Sequence, residues 1–446
     1  MSGPHTSPAQ GPGTESVLYS LIAAGDPSSE FKILDNIFDL LFIHVVDEEM
    51  MPIPPIEFSL LRQGKPDFLD LPWNLSLSDW EGQCPRLETI PRGVGRHPVV
   101  FVNYEGNLFA LKELPDDLAV KEYEALVEME SRRLPVVRPV GYVTPHSGGH
   151  PRSVLITRHL RQSLPYQMLF TSNEPSPDRE RMLDAMAGLL VQLHLAGIFW
   201  GDCSLSNTLF RRDAGALQAY LVDAETAEVR NDVSSGMRDH DLDIMEENVE
   251  GALADLAAMR GLEVVPGEVG GYIRSRYLSL WDEINREELF DASEGWKIHQ
   301  RIRALNQLGF SVREVAIREG DTGSLRFRAV VADRHYHHDL LYSLTGMDAE
   351  ELQARQLLNE IQEHRFWLSE EMKRSVSLSA AAFHWQFEVF QPFTTKLLTA
   401  APSNRSDIDL YCELLDHKWF LSERAKRDVG HQAALNDFVE RVLKND

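Results

Sequence analysis

Three polar residues near the middle of the chain have the types and spacing that phosphoryl transfer requires. Asp202 and Asn207 lie five positions apart in a polar loop, and Asp223 follows the next apolar run, Ala219–Val222. In phosphoryl transfer from ATP, one carboxylate accepts or orients the proton of an acceptor hydroxyl. An amide oxygen and a second carboxylate hold Mg²⁺ against the phosphates. Asp202, Asn207 and Asp223 can take these roles in that order.

A second pair of residues, further upstream, could hold the phosphates of a nucleotide. Lys112 comes at the end of an apolar run that predicts a strand, and Glu122 follows ten residues later on a predicted helix. A strand lysine paired with a helix glutamate can bind the α and β phosphates. Because an inward-facing lysine without a partner is costly, the pattern favours a functional pair over a solvent-exposed lysine.

Each of these residues has a plainer explanation when it is taken alone. Asp and Asn favour loops for local reasons, and Glu122 on its own is typical of a solvated helix face. Gly93 and Gly95 could let backbone N–H groups approach a phosphate, or they could serve a plain turn. The combination of polar residues favours a nucleotide and metal site over turn chemistry.

The elements that would position these residues can be predicted from the apolar pattern. Two apolar runs around a Gly-containing turn predict an antiparallel hairpin, and apolar residues at helical spacing predict amphipathic helices. The predicted elements are strands at Val99–Val102, Leu108–Leu114, Val136–Val140 and Val154–Thr157, helices at Asp116–Arg133 and Asp178–Ala196, short runs at Thr208–Phe210 and Ala219–Val222 joined by a turn at Arg211–Gln218, and a hairpin of Val312–Ile317 with Leu325–Val331.

Length and composition limit the classes of function. The 446 residues suggest two to four domains, and a hydrophobic content of 43% allows large packed cores. The formal charge of −25 disfavours nucleic acid as a partner. Three widely spaced cysteines argue against a disulfide framework. No stretch predicts a signal peptide or stable membrane insertion, so we expect a cytoplasmic protein.

The C-terminal part of the chain contains an internal repeat. His364–Val376 aligns with His417–Val429 at an offset of 53 residues, and seven of the thirteen aligned pairs are identical. An amphipathic stretch follows each copy, so each unit is predicted to be a helical hairpin. Two copies are too few for a free-standing solenoid and should pack against the rest of the chain. We expect the histidines of the repeat and their neighbouring aromatic residues to be core and capping positions.

The motifs, taken in order, resemble the protein-kinase-like superfamily. The closest resemblance is to its atypical bacterial branch, the lipopolysaccharide (Kdo/WaaP) and RIO-like kinases, fused to a C-terminal domain of unknown function. The matching segments are Ala110–Lys112, Lys121–Leu126, Leu134–Pro139, Leu193–Gly197, Gly201–Asn207 and Val222–Asp223, and Phe199–Asn207, Val222–Thr226 and His417–Glu423 are similar to signatures of the fused family.

The resemblance implies an α+β fold: a two-lobed protein-kinase-like region followed by a mostly helical C-terminal domain. It also implies that Glu122, rather than Glu124, is the partner of Lys112. The expected division is a disordered tail (1–15), an N-terminal extension (16–68), an N-lobe (69–160), a C-lobe core with the catalytic loop (161–235) and a helical domain (236–446) with repeat units near 360–390 and 413–443.

Some residues depart from the usual kinase pattern. Trp200 stands where most kinases have the catalytic-loop His, and Gly201 replaces the Arg, as in RIO-like kinases. Asp223 is followed by Ala-Glu rather than Phe-Gly, so activation-loop switching is not expected, and Glu225 could assist the metal. The glycine-rich loop is reduced to Arg92–His97.

The expected function is therefore ATP- and Mg²⁺-dependent phosphoryl transfer to an unidentified hydroxyl acceptor, which could be a sugar, a glycolipid or a protein Ser. Asp202 is the expected base, and Lys112 is the expected phosphate clamp, with Glu122 as its partner. Asn207 and Asp223 are the expected metal ligands, and Gly93 and Gly95 would line the nucleotide. Two alternatives stay open. One is a pseudokinase that holds nucleotide, or none, and presents its C-terminal repeats to a protein partner. The other is AMP transfer to a protein.

Other reactive side chains have structural interpretations. Cys203 lies beside the expected base, but no orienting His is evident nearby, so a nucleophile is not expected. His194 is interpreted as a packed histidine at a helix end. His335, His337 and His338 are expected in a polar loop after a strand rather than at a metal. The six acids of Asp239–Glu250 predict a solvated helix.

Overall fold

The computed structural model describes the chain from residue 56 onward, with gaps. The described residues are 56–90, 96–146, 152–168, 170, 177–214, 216–260, 267–290, 294, 296–319, 325–331, 334–400 and 406–441. The predicted tail 1–15 and most of the extension lie outside these ranges, as do Gly93 and Gly95. The described residues belong to one compact unit, 55–446.

The strands are concentrated in the first half of the described chain and the helices in the second. The strands are β1 (Ile56–Leu61), β2 (Leu87–Glu88), β3 (Val99–Tyr104), β4 (Asn107–Pro115), β5 (Arg138–Pro145), β6 (Arg152–Arg158), β7 (Ser163–Pro165), β8 (Ile198–Phe199), β9 (Thr208–Asp213), β10 (Ala216–Leu221), β11 (Glu228–Val229), β12 (Glu288–Phe290), β13 (Val312–Glu319) and β14 (Leu325–Val331). The helices are α1 (Asp116–Ser131), α2 (Pro177–Leu195), α3 (Ser235–Arg260), α4 (Glu268–Asn285), α5 (Trp296–Gln307), α6 (Tyr336–Thr345), α7 (Glu351–Met372), α8 (Leu378–Trp385), α9 (Gln391–Ala400), α10 (Asp407–Ala425) and α11 (His431–Arg441).

A six-stranded antiparallel sheet forms the first lobe, with strand order β1-β5-β6-β4-β3-β2. Side chains alternate between faces along β4: Phe109 and Leu111 are buried on one side, and Lys112 points to the other. The first face is covered by residues 68–84, whose buried Trp73 and Trp80 rings meet edge to face at 5.5 Å. The sheet therefore has one closed face and one face that carries Lys112.

The predicted hairpin before Lys112 is confirmed as β3–β4, with Val99 opposite Lys112 and Tyr104 opposite Asn107. Glu105 and Gly106 have φ values of +54° and +77°, as a two-residue turn between twisted strands requires. Asn103 Oδ1 accepts a hydrogen bond from the Gly106 N–H at 2.8 Å. The turn chemistry thus fixes the register that positions Lys112.

The second lobe is built around helix α2. Its apolar side chains predicted to share one side, from Met182 to Leu193, are all buried in a core that also takes residues from α3, α4 and β10. Strand β9 ends at Asp213 and strand β10 begins at Ala216. The turn between them is therefore shorter than the predicted Arg211–Gln218 turn. The pairing of Arg211 with Gln218 and of Arg212 with Leu217 prolongs the ladder beyond the apolar runs.

A separate core unites the helices of the C-terminal region, α6–α11. The predicted repeat is seen at both helix ends, because Lys373 after α7 and Lys426 after α10 adopt φ values of +51° and +52°. The N–H groups of Val376 and Val429 each donate to a serine Oγ at 3.2 Å, from Ser369 and Ser422 respectively. The two copies therefore end in the same capping structure.

The aromatic residues of the repeat do not occupy the core positions that we expected. Phe366 and Trp367 are 70% and 52% exposed, and their counterparts Trp419 and Phe420 are 65% and 48% exposed. The inward face is taken by neighbours at other helical positions, such as Leu368. The histidines join paired helices instead, with His364 bonded to His384 at 2.9 Å and His417 to Asp437 at 2.8 Å.

The N-terminus of α7 joins the helical region to the second lobe. The buried carboxylate of Asp213 accepts the N–H groups of Leu352 and Gln353, at 2.9 and 2.7 Å, in the first turn of α7. Tyr220 Oη donates to Glu350, the residue before α7, at 3.0 Å. The Asp213 contacts satisfy N–H donors that a helix start leaves unpaired, so the helical region packs against the second lobe as predicted.

The α+β fold class is confirmed by these elements: an antiparallel sheet lobe, a mixed second lobe and a helical C-terminal region. Among the described helices, none has both the length and the apolar composition that a bilayer crossing demands.

Candidate functional site

Lys112 lies where the first and second lobes meet. Its Nζ donates to Glu122 Oε2 at 3.0 Å and to Asp223 Oδ2 at 2.7 Å, and Glu225 Oε2 is 3.7 Å away. Burial opposes the charge of Lys112, but Glu122 and Asp223 outweigh it and raise the pKa of the lysine. A charged ammonium group thus connects β4, α1 and the residues that follow β10.

Glu122 is fully buried beneath this lysine. Burial, reinforced by the charge of Asp223, raises the pKa of Glu122 to about 7, although Lys112 acts in the opposite direction. Its second oxygen, Oε1, accepts the N–H of Ala224 at 3.2 Å. Glu124, two residues along α1, is exposed. The structure therefore brings Lys112 together with Glu122 and not with Glu124.

Asp223 and Glu225 present two carboxylates on one short segment. Asp223 Oδ1 accepts the N–H of Glu225 at 3.1 Å. Glu225 also lies 3.3 Å from Nε2 of His97, the last residue of the predicted glycine-rich loop. The part of this loop that contains Gly93 and Gly95 lies outside the described residues, so the predicted role of these glycines stays a prediction.

The polar loop between β8 and β9 holds Asp202 and Asn207 side by side. Asn207 Nδ2 donates to the backbone oxygen and to Oδ2 of Asp202, both at 3.1 Å. The Val222 N–H donates to the backbone oxygen of Asn207 at 3.0 Å, next to Asp223. The side-chain amide of Asn207 thus orients Asp202 with its nitrogen, which leaves its oxygen for another partner.

A buried carboxylate on α3, Asp241, anchors the same loop from below. It accepts the N–H groups of Trp200 and Gly201, both at 2.8 Å, and the Cys203 thiol at 3.0 Å. Burial alone would raise the pKa of Asp241, but bonds from His194, Cys203 and Trp200 prevail and lower it. The predicted solvated helix is therefore wrong at this position, because the acid-rich run turns one member inward.

His194 completes this anchor. Its Nε2 lies 3.0 Å from Asp241 Oδ2 and its Nδ1 lies 2.8 Å from Tyr277 Oη. Because the carboxylate can only accept, the Nε2–H of His194 donates to Asp241. His194 is buried near the end of α2, as predicted, and it helps to hold the loop.

Trp200 and Cys203 are both structural in this arrangement. Trp200 is fully buried, and its Nε1 donates to the backbone oxygen of Asp223 at 3.0 Å. Burial raises the pKa of the Cys203 thiol, and Asp241 adds to the shift. A buried thiol of this kind is a poor nucleophile. Trp200 therefore connects the loop that carries Asp202 with the segment that carries Asp223.

Two contacts to Asp202 have no sequence signal that we recognised. Asn248, on α3, donates from Nδ2 to Asp202 Oδ1 at 2.9 Å and to the Cys203 backbone oxygen at 3.2 Å. Arg96 lies 3.4 Å from Asp202 Oδ2, with a largely exposed side chain. The seven-residue spacing from Asp241 to Asn248 places both on one helix face, but the sequence does not show that this face packs against the loop.

The donor set fits a divalent cation that also uses oxygens of its substrate. Asn207 supplies an amide oxygen and Asp223 a carboxylate, both oxygen ligands of the kind that Mg²⁺ prefers. In the part of the chain that the structure describes, no group of three or more His, Cys, Asp or Glu side chains is placed to hold a metal. A cation at Asn207 and Asp223 would therefore take its remaining ligands from phosphates and water.

The histidines near residue 335 lie at a helix start rather than in the polar loop that we predicted. His337 contacts Glu351 at 2.6 Å, and His338 contacts Asp339 at 3.1 Å and Asp348 at 3.0 Å. Glu351 also accepts the N–H groups of His337 and His338 in the first turn of α6. Capping of α6 by Glu351 explains why these residues are helical.

Comparisons with known proteins give matches to two domain families. The model of the lipopolysaccharide kinase (Kdo/WaaP) family matches residues 105–260. A domain of unknown function (DUF4032) matches residues 279–443. Comparison with curated proteins finds no match.

Among solved structures, one match is described as "WaaP in complex with acyl carrier protein". It is 16% identical, covers 56% of this chain and 99% of its own, and has a TM-score of 0.34. The first family match spans β4 through α3 and so includes Lys112, Asp202, Asn207 and Asp223. Residues 105–260 of the chain thus match the lipopolysaccharide kinase (Kdo/WaaP) family, and residues 279–443 match DUF4032.

Proposed function

We propose that the chain transfers the γ-phosphoryl group of ATP, with Mg²⁺, to a hydroxyl acceptor. The observation that carries the proposal is the position of Lys112, whose Nζ joins a buried glutamate and Asp223 at 3.0 and 2.7 Å. The backbone oxygen of Asn207 accepts the N–H of Val222, the residue before Asp223. Asn207 therefore connects this cluster to Asp202, to which its side chain donates. The family match supports a kinase-like phosphotransferase.

Each residue has one role in the proposed reaction. Lys112 binds the α and β phosphates, and Glu122 orients it. Asp202 accepts the proton of the acceptor hydroxyl while the hydroxyl oxygen forms a bond to the γ phosphorus. The bond from that phosphorus to the β–γ bridging oxygen breaks, and ADP leaves with the electron pair. Asn207 and Asp223 would hold Mg²⁺, which neutralises charge on the phosphates.

The two alternatives become outcomes of one labelling experiment. The full chain is incubated with candidate acceptors, including sugars, glycolipids and its own Ser residues, in the presence of γ-labelled or α-labelled ATP. Phosphoryl transfer gives label only from γ-labelled ATP, whereas AMP transfer gives label only from α-labelled ATP. Label from neither, together with Mg²⁺-ATP binding, favours the pseudokinase.

Binding is tested separately with thermal unfolding. A ligand that binds only the folded state raises the unfolding midpoint, so we expect a Mg²⁺-dependent rise with ATP. Asp223→Asn should abolish the Mg²⁺-dependent part of the rise. Asp232→Asn, a change of the same charge at an exposed position, should leave it intact. An equal rise in both variants would contradict the metal role of Asp223.

A further inference from the structure

Helix α3 contacts the loop that carries Asp202 through two side chains that lie on one face of the helix. Asp241 accepts the N–H groups of Trp200 and Gly201, which come just before Asp202. Asn248, two turns further along α3, donates from Nδ2 to Asp202 Oδ1 at 2.9 Å. The first contact therefore fixes the backbone of the loop, and the second acts on the carboxylate of the expected base.

The amide nitrogen of Asn248 serves two acceptors. It donates to the carboxylate of Asp202 at 2.9 Å and to the backbone oxygen of Cys203 at 3.2 Å. An amide nitrogen carries two hydrogens, so both bonds can form at once. The reversed amide would place an oxygen against two oxygen acceptors, and these neighbours therefore fix which end of the amide faces the loop.

The carboxylate of Asp202 is held at both of its oxygens. Oδ1 accepts the amide of Asn248, and Oδ2 accepts the amide of Asn207 at 3.1 Å. The exposed side chain of Arg96 lies 3.4 Å from Oδ2 as well. Two amide donors on different elements restrict rotation of the carboxylate. A carboxylate oxygen has two lone pairs, so an oxygen that accepts one amide can still accept the proton of a hydroxyl.

The two amides differ in what else they do in the proposed reaction. The side-chain oxygen of Asn207 would bind Mg²⁺, so the position of Asn207 depends on the cation and its nucleotide. Asn248 belongs to α3, whose Met245 and Val249 are buried in the core around α2. The fold itself therefore sets the position of Asn248, and its bond orients the base before the nucleotide binds.

We propose that Asn248 is a positioning residue that holds the Asp202 carboxylate for proton transfer. This inference rests on the proposed function, in which Asp202 accepts the proton of the acceptor hydroxyl. A general base acts only within hydrogen-bond reach of that proton, and a misplacement of about 1 Å can cost about a hundredfold in rate. Asn248 therefore affects the chemical step through Asp202 and has no part in the binding of ATP.

The test measures hydrolysis of Mg²⁺-ATP by the full chain, because water can serve as the hydroxyl acceptor. Asp202 then takes a proton from water as the water oxygen bonds to the γ phosphorus and ADP leaves with the electron pair. We expect Asn248→Ala to lower kcat about tenfold or more. KM for ATP should stay within about twofold, as should the Mg²⁺-dependent rise in unfolding midpoint. Glu247→Ala, at an exposed position of α3, is the control and should leave all three unchanged.

Two results would overturn the positioning role and leave the proposed function intact. One is an unchanged kcat in Asn248→Ala, and the other is a fall in kcat with an equal loss of ATP binding, which would show that Asn248 only supports the loop. Phosphate release by the native chain no faster than by Asp202→Ala would contradict the proposed function itself, and the positioning role with it. If Asn248→Ala does not fold, Asn248→Leu, which has a similar volume but no donor, repeats the test.

Discussion

Lys112 is surrounded by more negative charge than one ammonium group can neutralise. Glu122, Asp223 and Glu225 all lie within 4 Å of its Nζ. In the proposed reaction, phosphate oxygens take the place of the Asp223 carboxylate at Lys112, and Asp223 becomes available to a cation. Nucleotide binding would therefore exchange one anion for another at Lys112.

Glu122→Gln tests this cluster at its buried end. We expect kcat/KM for phosphoryl transfer to fall about tenfold or more, because Lys112 loses the charge that orients it. The free energy of unfolding should change by less than about 1.5 kcal/mol, since Lys112 keeps Asp223 and Glu225 as charge partners and one desolvated carboxylate is removed. Steady-state kinetics and urea unfolding measure the two effects.

Glu124→Gln is the matched control for that variant, because the same change is made at an exposed position of α1. It should leave both kcat/KM and stability unchanged. A similar loss of activity in both variants would show that Glu122 has no special part in orienting Lys112.

Asp241→Ala removes the anchor of the polar loop. We expect the free energy of unfolding to fall by about 3–5 kcal/mol, as when one member of a buried pair is deleted. The N–H groups of Trp200 and Gly201 and the ring of His194 lose their acceptor. Asp239→Ala, an exposed acid on the same helix, should change stability little. Urea unfolding of both variants decides, and equal losses would disprove the anchoring role.

Asp213 gives the protein a pH dependence with a defined sign. Burial raises the pKa of Asp213 to about 7, despite the N–H donors of Leu352 and Gln353. The folded state therefore keeps a proton on Asp213 that the unfolded chain loses near pH 4. The contribution of this proton to the free energy of unfolding is fully present below pH 4 and is lost as the pH rises through about 7.

Asp213→Asn removes this titration. The free energy of unfolding of the native chain, measured relative to the variant, should therefore fall as the pH rises from about 4 to about 7. Chemical unfolding at several pH values measures it. Asp255→Asn, at an exposed position of α3, is the control. A constant difference between native chain and Asp213→Asn would rule out the raised pKa.

The residues that act together in the candidate site could be predicted from the sequence. The residues that hold them in place were harder to predict. Lys112, Glu122 and Asp223 could be predicted because strand, helix and loop signals surround each of them. Asp241 and Asn248 could not, since their run contains six acids and its pattern does not show which side chain turns inward. That choice depends on the packing of α3 under the loop, which is a tertiary property.

At the scale of elements, the repeated helix ends make a natural internal comparison. Ser369 and Ser422 have equivalent positions, and each Oγ accepts an N–H seven residues ahead. Ser369→Ala and Ser422→Ala should each lower the free energy of unfolding by about 1 kcal/mol, the value of one hydrogen bond. Urea unfolding measures both.

Ser375→Ala, at an exposed position between α7 and α8, is the control and should have little effect. Because the two serines belong to different caps, the double variant should lose the sum of the single effects. A loss in only one copy would show that the copies share a shape but not an energetic role.

The elements themselves were largely predictable. The hairpin β3–β4 follows from its turn residues, and α2 follows from its apolar spacing. The extent of β9 and β10 did not follow, because their outer residues, Arg211 and Gln218, are polar and are paired by the ladder. The exposed aromatic pairs were also missed, because apolar character alone predicts burial.

At the scale of the whole molecule, the buried cores and the family matches divide the chain differently. The matches change between residues 260 and 279. The core around α2 continues through Leu305, Phe310 and Ala329, and the helical core begins at Leu341. The first part of the DUF4032 match, as far as Ala329, therefore packs into the core of the second lobe.

The capping of α7 by Asp213 has a practical consequence for anyone who divides this chain. A fragment cut at residue 260 would keep a carboxylate whose N–H donors, on Leu352 and Gln353, had been discarded. It would also expose the apolar face that Leu305 and Phe310 cover. Activity assays on such a fragment would report on a damaged lobe.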